Sequence, residues 1–217
     1  MTNRYNNYSD FLKNKYGVKV YKLPISIPVT CPNRDGTCGF DGCSFCGDIG
    51  AGYQHVPDTV GIKEQIAMHK GHIIDKYKAK KFIAYLQNYS NTYLPLATLE
   101  KYLLEACDED VVRIALATRP DCVSDSYLEK LADIKSKTKV DISVELGLQT
   151  VNYHALEEIR RGHSLAEYLD AMQRINKYGL ESCTHVILNL PGSDRWDVIE
   201  TAKVLSAMKT TEAKIHA

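Results

Sequence analysis

A chain of 217 residues with 44% hydrophobic content is long enough for one full-sized core, and 27 basic against 27 acidic residues leave no formal net charge. That balance gives no indication of a strongly basic nucleic-acid-binding domain. The sequence has neither an N-terminal apolar h-region nor a run of ~18 apolar residues, so no signal peptide or membrane span is expected and the chain reads as cytoplasmic.

The first elements can be read in chain order. Tyr5, Tyr8, Leu12 and Tyr16 recur at helical intervals, predicting a short helical extension over 1–17 packed outside the core. A strand is expected over 18–29, interrupted by Pro24 and Pro28, and it runs into a loop carrying Cys31, Cys38, Cys43 and Cys46. A helix follows over 59–78, with Ile62, Ile66, Ile73 and Tyr77 near one face. Its basic end, "KYKAKK" at 76–81, reads as solvated. Then come a strand over 81–87, a helix over 95–107 and a strand over 112–118.

A helix over 124–136 takes Ser124 as its cap, and a strand covers 140–147. Residues 150–178 hold two helices divided by Gly162. The second opens on the capping-box pair Ser164 and Glu167 and closes at Gly179. A strand over 183–190, a helix over 194–208 capped by Asp194, and a strand over 213–216 complete the pattern.

Several strand runs are nearly continuous in Ile, Val, Leu and Ala, as strands buried on both faces are. The β-α alternation implies a single α/β domain with a parallel sheet and right-handed crossovers. Two topologies fit: a partial (β/α)6 TIM-like barrel and a doubly wound open sheet. Both place ligands at the carboxyl ends of the strands. The polar segments fall there: the cysteine loop, "QNYSNTY", "TRPD", Glu145 with "GLQT", "NLPGSD" and His216. The chain stops as the sixth strand ends, where a barrel strand ordinarily has a covering helix, so a shortened C-terminus is expected.

Seven cysteines, an odd number, in a reducing compartment argue against a disulfide framework. Cys43 and Cys46 form a C-x2-C pair whose thiolates can converge on one centre, and the surrounding glycines let the loop wrap it. Three readings compete. An iron–sulfur cluster needs one thiolate per iron, and a structural zinc needs four tetrahedral ligands. A redox pair normally opens a helix, whereas "CSFCGDIGAGY" is broken by glycine. Only one close pair is present, and Cys31 lies seven residues from Cys38, which is poor spacing for a zinc ribbon.

"TCPNRDG" with "GCSFC" resembles the radical S-adenosylmethionine (SAM) superfamily, and specifically the YhcC/YtqA-like family related to the elongator catalytic-subunit group. "YSDFLK", "VYKLP", "YLQNYSNTY", "TRPDCV", "ELGLQT", "RRGHS", "HVILNLPG" and "KIH" extend the resemblance in order along almost the whole chain. The resemblance implies a partial (β/α)6 barrel with further chain beyond residue 217. It also implies a [4Fe–4S] cluster on Cys31, Cys43 and Cys46, with Cys38 a bystander and one iron open to SAM. Reductive cleavage of SAM would then yield a 5′-deoxyadenosyl radical in an oxygen-sensitive enzyme of unknown substrate, with RNA modification as one option.

By position, Phe45 would pack near adenine, and the backbone of Gln87 and Asn88 would meet the SAM amino group. Glu145 would bind ribose hydroxyls, Gln149 the ribose or methionyl part, and Arg161 the methionyl carboxylate. The turn Leu190, Pro191, Gly192 would approach adenine. Tyr89, Tyr93, Arg119, His185 and His216 are placed to face substrate, without an assigned catalytic acid or base. Cys107, Cys122 and Cys183 read as core thiols or strand-edge residues. A reductase or a flavodoxin- or ferredoxin-type protein would donate the electron. The competing reading is a non-enzymatic zinc-binding module that uses all four cysteines of the loop.

Overall fold

Helices alternate with six parallel strands in the computed structural model of the chain, which describes residues 5–47 and 56–217. Residues 1–4 of the expected N-terminal extension lie outside that range. The elements are α1 (Tyr8–Tyr16), β1 (Val20–Ile25), α2 (Ile62–Tyr77), β2 (Lys81–Leu86), α3 (Leu96–Ala106), β3 (Val111–Thr118) and α4 (Asp125–Thr138). They continue with β4 (Asp141–Gln149), α5 (Tyr153–Glu158), α6 (Leu165–Lys177), β5 (Glu181–Ile187), α7 (Arg195–Ala207) and β6 (Glu212–His216), and a 3-10 turn spans Pro120–Cys122.

Neighbouring strands follow chain order, β1 through β6, and every pairing is parallel. A doubly wound sheet would reverse its order midway, so this is the partial (β/α)6 barrel. β1 and β6 are the open edges. Pro24 is tolerated inside β1 because an edge strand leaves one side of its backbone unpaired. β1 is shorter than the expected 18–29, and β5 begins and ends earlier than 183–190.

Strand residues alternate between two faces. Leu23, Ile25, Phe82, Leu86, Ile114, Leu116, Ile142, Val144, Leu146 and Leu148 point outward and pack with Ile66, Leu99, Leu103, Leu128, Leu131, Met172 and Ile175 of the helices. Buried polar groups on this side find partners, as where Tyr168 Oη lies 2.8 Å from Thr184 Oγ1 and 3.1 Å from Thr210 Oγ1. The cap of α4 differs from expectation: Ser124 is the N-cap residue, but its hydroxyl pairs with Ser126 at 2.8 Å and leaves the helix N–H groups alone.

The inner face is mixed. Ile83, Tyr85 and Ala115 make a small apolar floor, and α1 lies on it through buried Leu12 with Tyr8, Phe11 and Tyr16 alongside. The extension therefore packs outside the main core as expected, yet against the concave wall of the sheet rather than on the outer surface. A half-barrel exposes its inner face to water, and α1 covers part of it. Among the described residues no helix is long and apolar enough to cross a membrane.

Candidate functional site

The carboxyl ends of β1 to β3 are bound together by side-chain amides. Buried carbonyls there lack ladder partners and need donors. Asn88 Nδ2 donates to Ile27 O at 2.8 Å, and its Oδ1 accepts from Ile27 N at 3.4 Å. Asn91, fully buried, donates to Leu86 O, Asn88 O and Ala117 O at 2.9, 3.1 and 2.7 Å. These amides of "QNYSNTY" bind strand ends to one another. β2 ends at Leu86, so Gln87 and Asn88 lie just past the strand.

The cysteine loop is seated on this rim. Arg34 Nη2 donates to Cys46 O and Gly47 O at 3.3 and 2.7 Å, and Ser44 N donates to Ile159 O at 3.1 Å. Asp41 and Arg160 form an ion pair at 3.2 Å. Cys43 is buried, Cys31 and Cys46 are half-buried, and Cys38 is exposed. Ser90 Oγ lies 3.6 Å from the Cys31 sulfur. Burial, then the neighbouring Cys43, pushes the Cys46 thiol up, and Cys31 adds to the effect, so the three sulfurs share one environment. Phe45, between the paired cysteines, is 41% exposed at the mouth.

Asn33 and Arg161 converge on Cys43. Asn33 Nδ2 is 3.3 Å from its sulfur and Arg161 Nη1 is 3.5 Å away. Arg161 is buried, not the surface residue of a helix end, and its Nε and Nη2 donate to Gly147 O at 3.2 and 2.8 Å. Two glycines permit the convergence. A Cβ at Gly147 would stand 2.6 Å from Arg161 Nη2, and one at Gly162, where φ is +73°, would stand 2.6 Å from Asn33 Oδ1. Arg119, paired with Asp121 at 2.7 Å, donates through Nη1 to Arg161 O at 2.9 Å. His163 Nε2 lies 3.0 Å from Gly147 O, and burial with the Arg161 charge lowers its pKa to about 4.

Three non-glycine residues of positive φ follow strand ends on this rim: Tyr89, Gln149 and Asn189. The other four among the described residues, Lys78, Lys139, Arg160 and Lys209, follow helix C-termini. Strained non-glycine backbone thus occurs at the carboxyl ends of β2, β4 and β5, where sites are built, as well as at helix ends. Gln149 is buried at the end of β4, two residues beyond Gly147.

Glu145 lies deeper on the inner wall. Its Oε1 accepts from Lys22 Nζ and its Oε2 from His185 Nε2, both at 2.7 Å. Burial alone would raise the carboxyl, but the His185 hydrogen bond and the Lys22 charge outweigh it and hold it far below the usual carboxylate range. Burial keeps His185 neutral by lowering its pKa against the pull of Glu145. Lys214 reaches Tyr85 Oη at 3.3 Å, and burial lowers its pKa. His216 stacks obliquely on His185, ring centroids 5.5 Å apart.

Ligand atoms of Glu145, Cys183 and His185 lie within 4.8 Å of one another. The Lys22 ammonium already occupies the cation's place there, so the group is a charge-balanced network rather than a metal centre. Cys183 is buried on this inner wall, while Cys107 and Cys122 are half-buried near the ends of α3 and the 3-10 turn.

Sequence reasoning brought Cys31, Cys43, Cys46 and Arg161 to one place and set Cys38 aside. It missed Asn33, Ser90 and His163. Asn33 carried no spacing signal, since the sulfur it meets belongs to Cys43, ten residues further along the loop.

The family model of the Radical SAM superfamily matches residues 26–205. The protein YtqA of Bacillus subtilis (strain 168) is 36% identical over 214 residues, covering 98% of this chain and 66% of its own length. YhcC of Escherichia coli (strain K12) is 33% identical over 212 residues, covering 97% and 67%. The chain thus spans about two thirds of the length of these relatives. Among solved structures, Methanocaldococcus infernus Elp3 with an N-terminal deletion superposes with a TM-score of 0.61 at 17% identity, over 91% of this chain and 45% of that one, a likeness of fold.

Proposed function

This chain belongs to the radical SAM superfamily, and from that premise we propose that Cys31, Cys43 and Cys46 hold a [4Fe–4S] cluster that acts on S-adenosylmethionine. The observation that carries the reading is the cysteine loop at the carboxyl end of a parallel half-barrel, with Cys43 buried, Cys31 and Cys46 half-buried and Cys38 exposed to solvent. The donor set fits the group: three thiols for ligation and N–H groups of Asn33 and Arg161 at the most buried sulfur. A closed zinc site would need Cys38 as its fourth ligand. When bound, such a cluster supplies the electron that cleaves SAM reductively to a 5′-deoxyadenosyl radical.

The residues of this chain divide the remaining work. Arg34 holds the carbonyls of Cys46 and Gly47 and so fixes the C-x2-C turn. Phe45 is assigned to adenine, the backbone of Gln87 and Asn88 to the SAM amino group, and Gln149 to the ribose or methionyl part. Glu145, with both oxygens engaged, is assigned to ordering Lys22 and His185 on the inner wall, and His185 keeps its proton at Nε2 toward Glu145. α1 closes the opposite end of the wall against water. A flavodoxin- or ferredoxin-type protein or a reductase is the proposed electron donor, in a reducing cytoplasm that protects an oxygen-sensitive cluster. RNA is the substrate class suggested by kinship with the elongator group, although zero net charge gives it no electrostatic support.

Anaerobic reconstitution tests the reading. The expected product is a brown protein with about four iron per chain that yields 5′-deoxyadenosine from SAM after reduction. A colourless protein that takes up a single zinc on its cysteines and no iron overturns it.

A further inference from the structure

Arg161 is a buried cation with no carboxylate in ion-pair range among the described residues. Three of its nitrogens are spoken for: Nε and Nη2 face Gly147 O, and Nη1 faces the Cys43 sulfur at 3.5 Å. A buried guanidinium without a carboxylate is stabilised by an electron-rich group that can carry negative charge, and among the described residues Arg161 meets such a group in the Cys43 sulfur. The second donor at that sulfur, Asn33 Nδ2, is held by Arg160 O at 2.7 Å, and its two hydrogens also serve Arg161 O at 3.2 Å and the sulfur at 3.3 Å, so the contact to Cys43 is a shared one. Gly147 and Gly162 keep side-chain volume away from both. Asn33, Cys43 and Arg161 are each at most 6% exposed, so water does not compete for these contacts.

We propose that Asn33 and Arg161 are positioning residues, a two-donor clamp on the Cys43 sulfur that raises the reduction potential of the cluster bound there. The proposal rests on the iron–sulfur reading above. Reduction adds negative charge to the cluster and its sulfurs. A hydrogen bond to a sulfur and a fixed positive charge beside it favour the reduced form over the oxidised one. Burial strengthens both effects by lowering the local dielectric. This gives Arg161 a different duty from binding the methionyl carboxylate, since its fork is committed to Gly147 O and Cys43.

The test compares wild type with Arg161→Gln, Arg161→Lys and Asn33→Ser, each reconstituted anaerobically, assayed for iron and sulfide, and titrated with redox mediators. Wild type that takes up no iron removes the cluster reading itself, before the clamp is questioned. With loaded wild type, the ratio of reduced to oxidised cluster at a fixed potential should fall about tenfold in Arg161→Gln, which is about 59 mV for a one-electron couple. Arg161→Lys keeps the charge but cannot span Gly147 O and Cys43 together, so its ratio should fall less, about threefold. Asn33→Ser should move in the same direction. Unchanged ratios in loaded Arg161→Gln overturn the clamp. Should that variant hold too little iron to titrate, Arg161→Lys decides, and an unchanged ratio there overturns it equally. A role limited to holding the α5–α6 turn would lower iron content or thermal stability without moving the potential of the clusters that remain.

Discussion

At the scale of single residues, the four cysteines of the loop separate by environment. Cys31, Cys43 and Cys46 lie in or at the rim of the half-barrel, and Cys38 is exposed. Replacing Cys38 by serine should leave iron content within error of wild type. Serine at 31, 43 or 46 should remove most of it, as measured by iron and acid-labile sulfide per chain after anaerobic reconstitution. Loss of iron in Cys38→Ser with retention in Cys31→Ser would reassign the ligands. His163 supplies a pH test. Burial and the Arg161 charge depress its pKa from 6.5 to about 4. Between those values the unfolded chain binds more protons than the folded one, so stability falls as pH drops through that window. The loss attributable to His163 from pH 7 to pH 5 is about 2 kcal/mol at most. His163→Gln should flatten that part of the curve, read from urea midpoints of the two proteins at both pH values. Parallel curves would show that His163 does not carry the slope.

At the scale of elements, strands 2 to 4 were legible because apolar runs such as "KFIAYL" and "DISVELGLQ" match two-sided burial. Parallel pairing followed from the regular β-α alternation, but the consecutive order did not, because a doubly wound sheet shares that alternation; the family resemblance alone implied the half-barrel. The seat of α1 was not legible. Its tyrosines and leucine recur at helical spacing, which identifies a helix but not the face it meets. That face is Ile83, Tyr85 and Ala115, inner-wall positions that look like any other strand residues in the sequence. The amide staples were also hidden. Asn88 and Asn91 stood out as polar residues at strand ends, which suits ligand binding, yet their partners are carbonyls of neighbouring strands up to 61 residues away in the chain. The packing of α1 can be measured. Leu12 is 3% exposed, and Leu12→Ala should cost about 2–4 kcal/mol in urea unfolding. A cost below about 1 kcal/mol would mean that the wall under α1 relaxes or stays wet without it.

At the scale of the whole molecule, the unusual property is a half-barrel whose inner wall is charged. Closed barrels fill that space with layers of branched apolar side chains. Here Arg113, fully buried in the middle of "VVRIALAT", pairs with Glu181 of β5 and Glu212 of β6, while its Nε donates to Tyr16 Oη of α1 at 3.2 Å. One guanidinium therefore joins β3, the far edge of the sheet and the covering helix. Nothing in the local sequence announces this, because its partners lie 68 and 99 residues downstream. Arg113→Leu keeps apolar bulk but leaves Glu212 without its ion-pair partner and Glu181 with Lys15 alone, which should cost about 3–5 kcal/mol near neutral pH. The sign of the pH dependence distinguishes charge from packing. Burial already raises the Glu212 pKa, with Arg113 opposing the rise, and removing Arg113 would raise it further. A carboxyl raised in the folded state binds more protons folded than unfolded, so its cost is relieved as pH falls. The deficit of Arg113→Leu relative to wild type should therefore narrow between pH 7.5 and pH 5 when urea midpoints are compared at both. A deficit that holds constant or widens would mean that Arg113 stabilises the barrel mainly by packing over the Phe11 and Tyr16 rings, whose centroids lie 5.8 and 5.9 Å from its guanidinium.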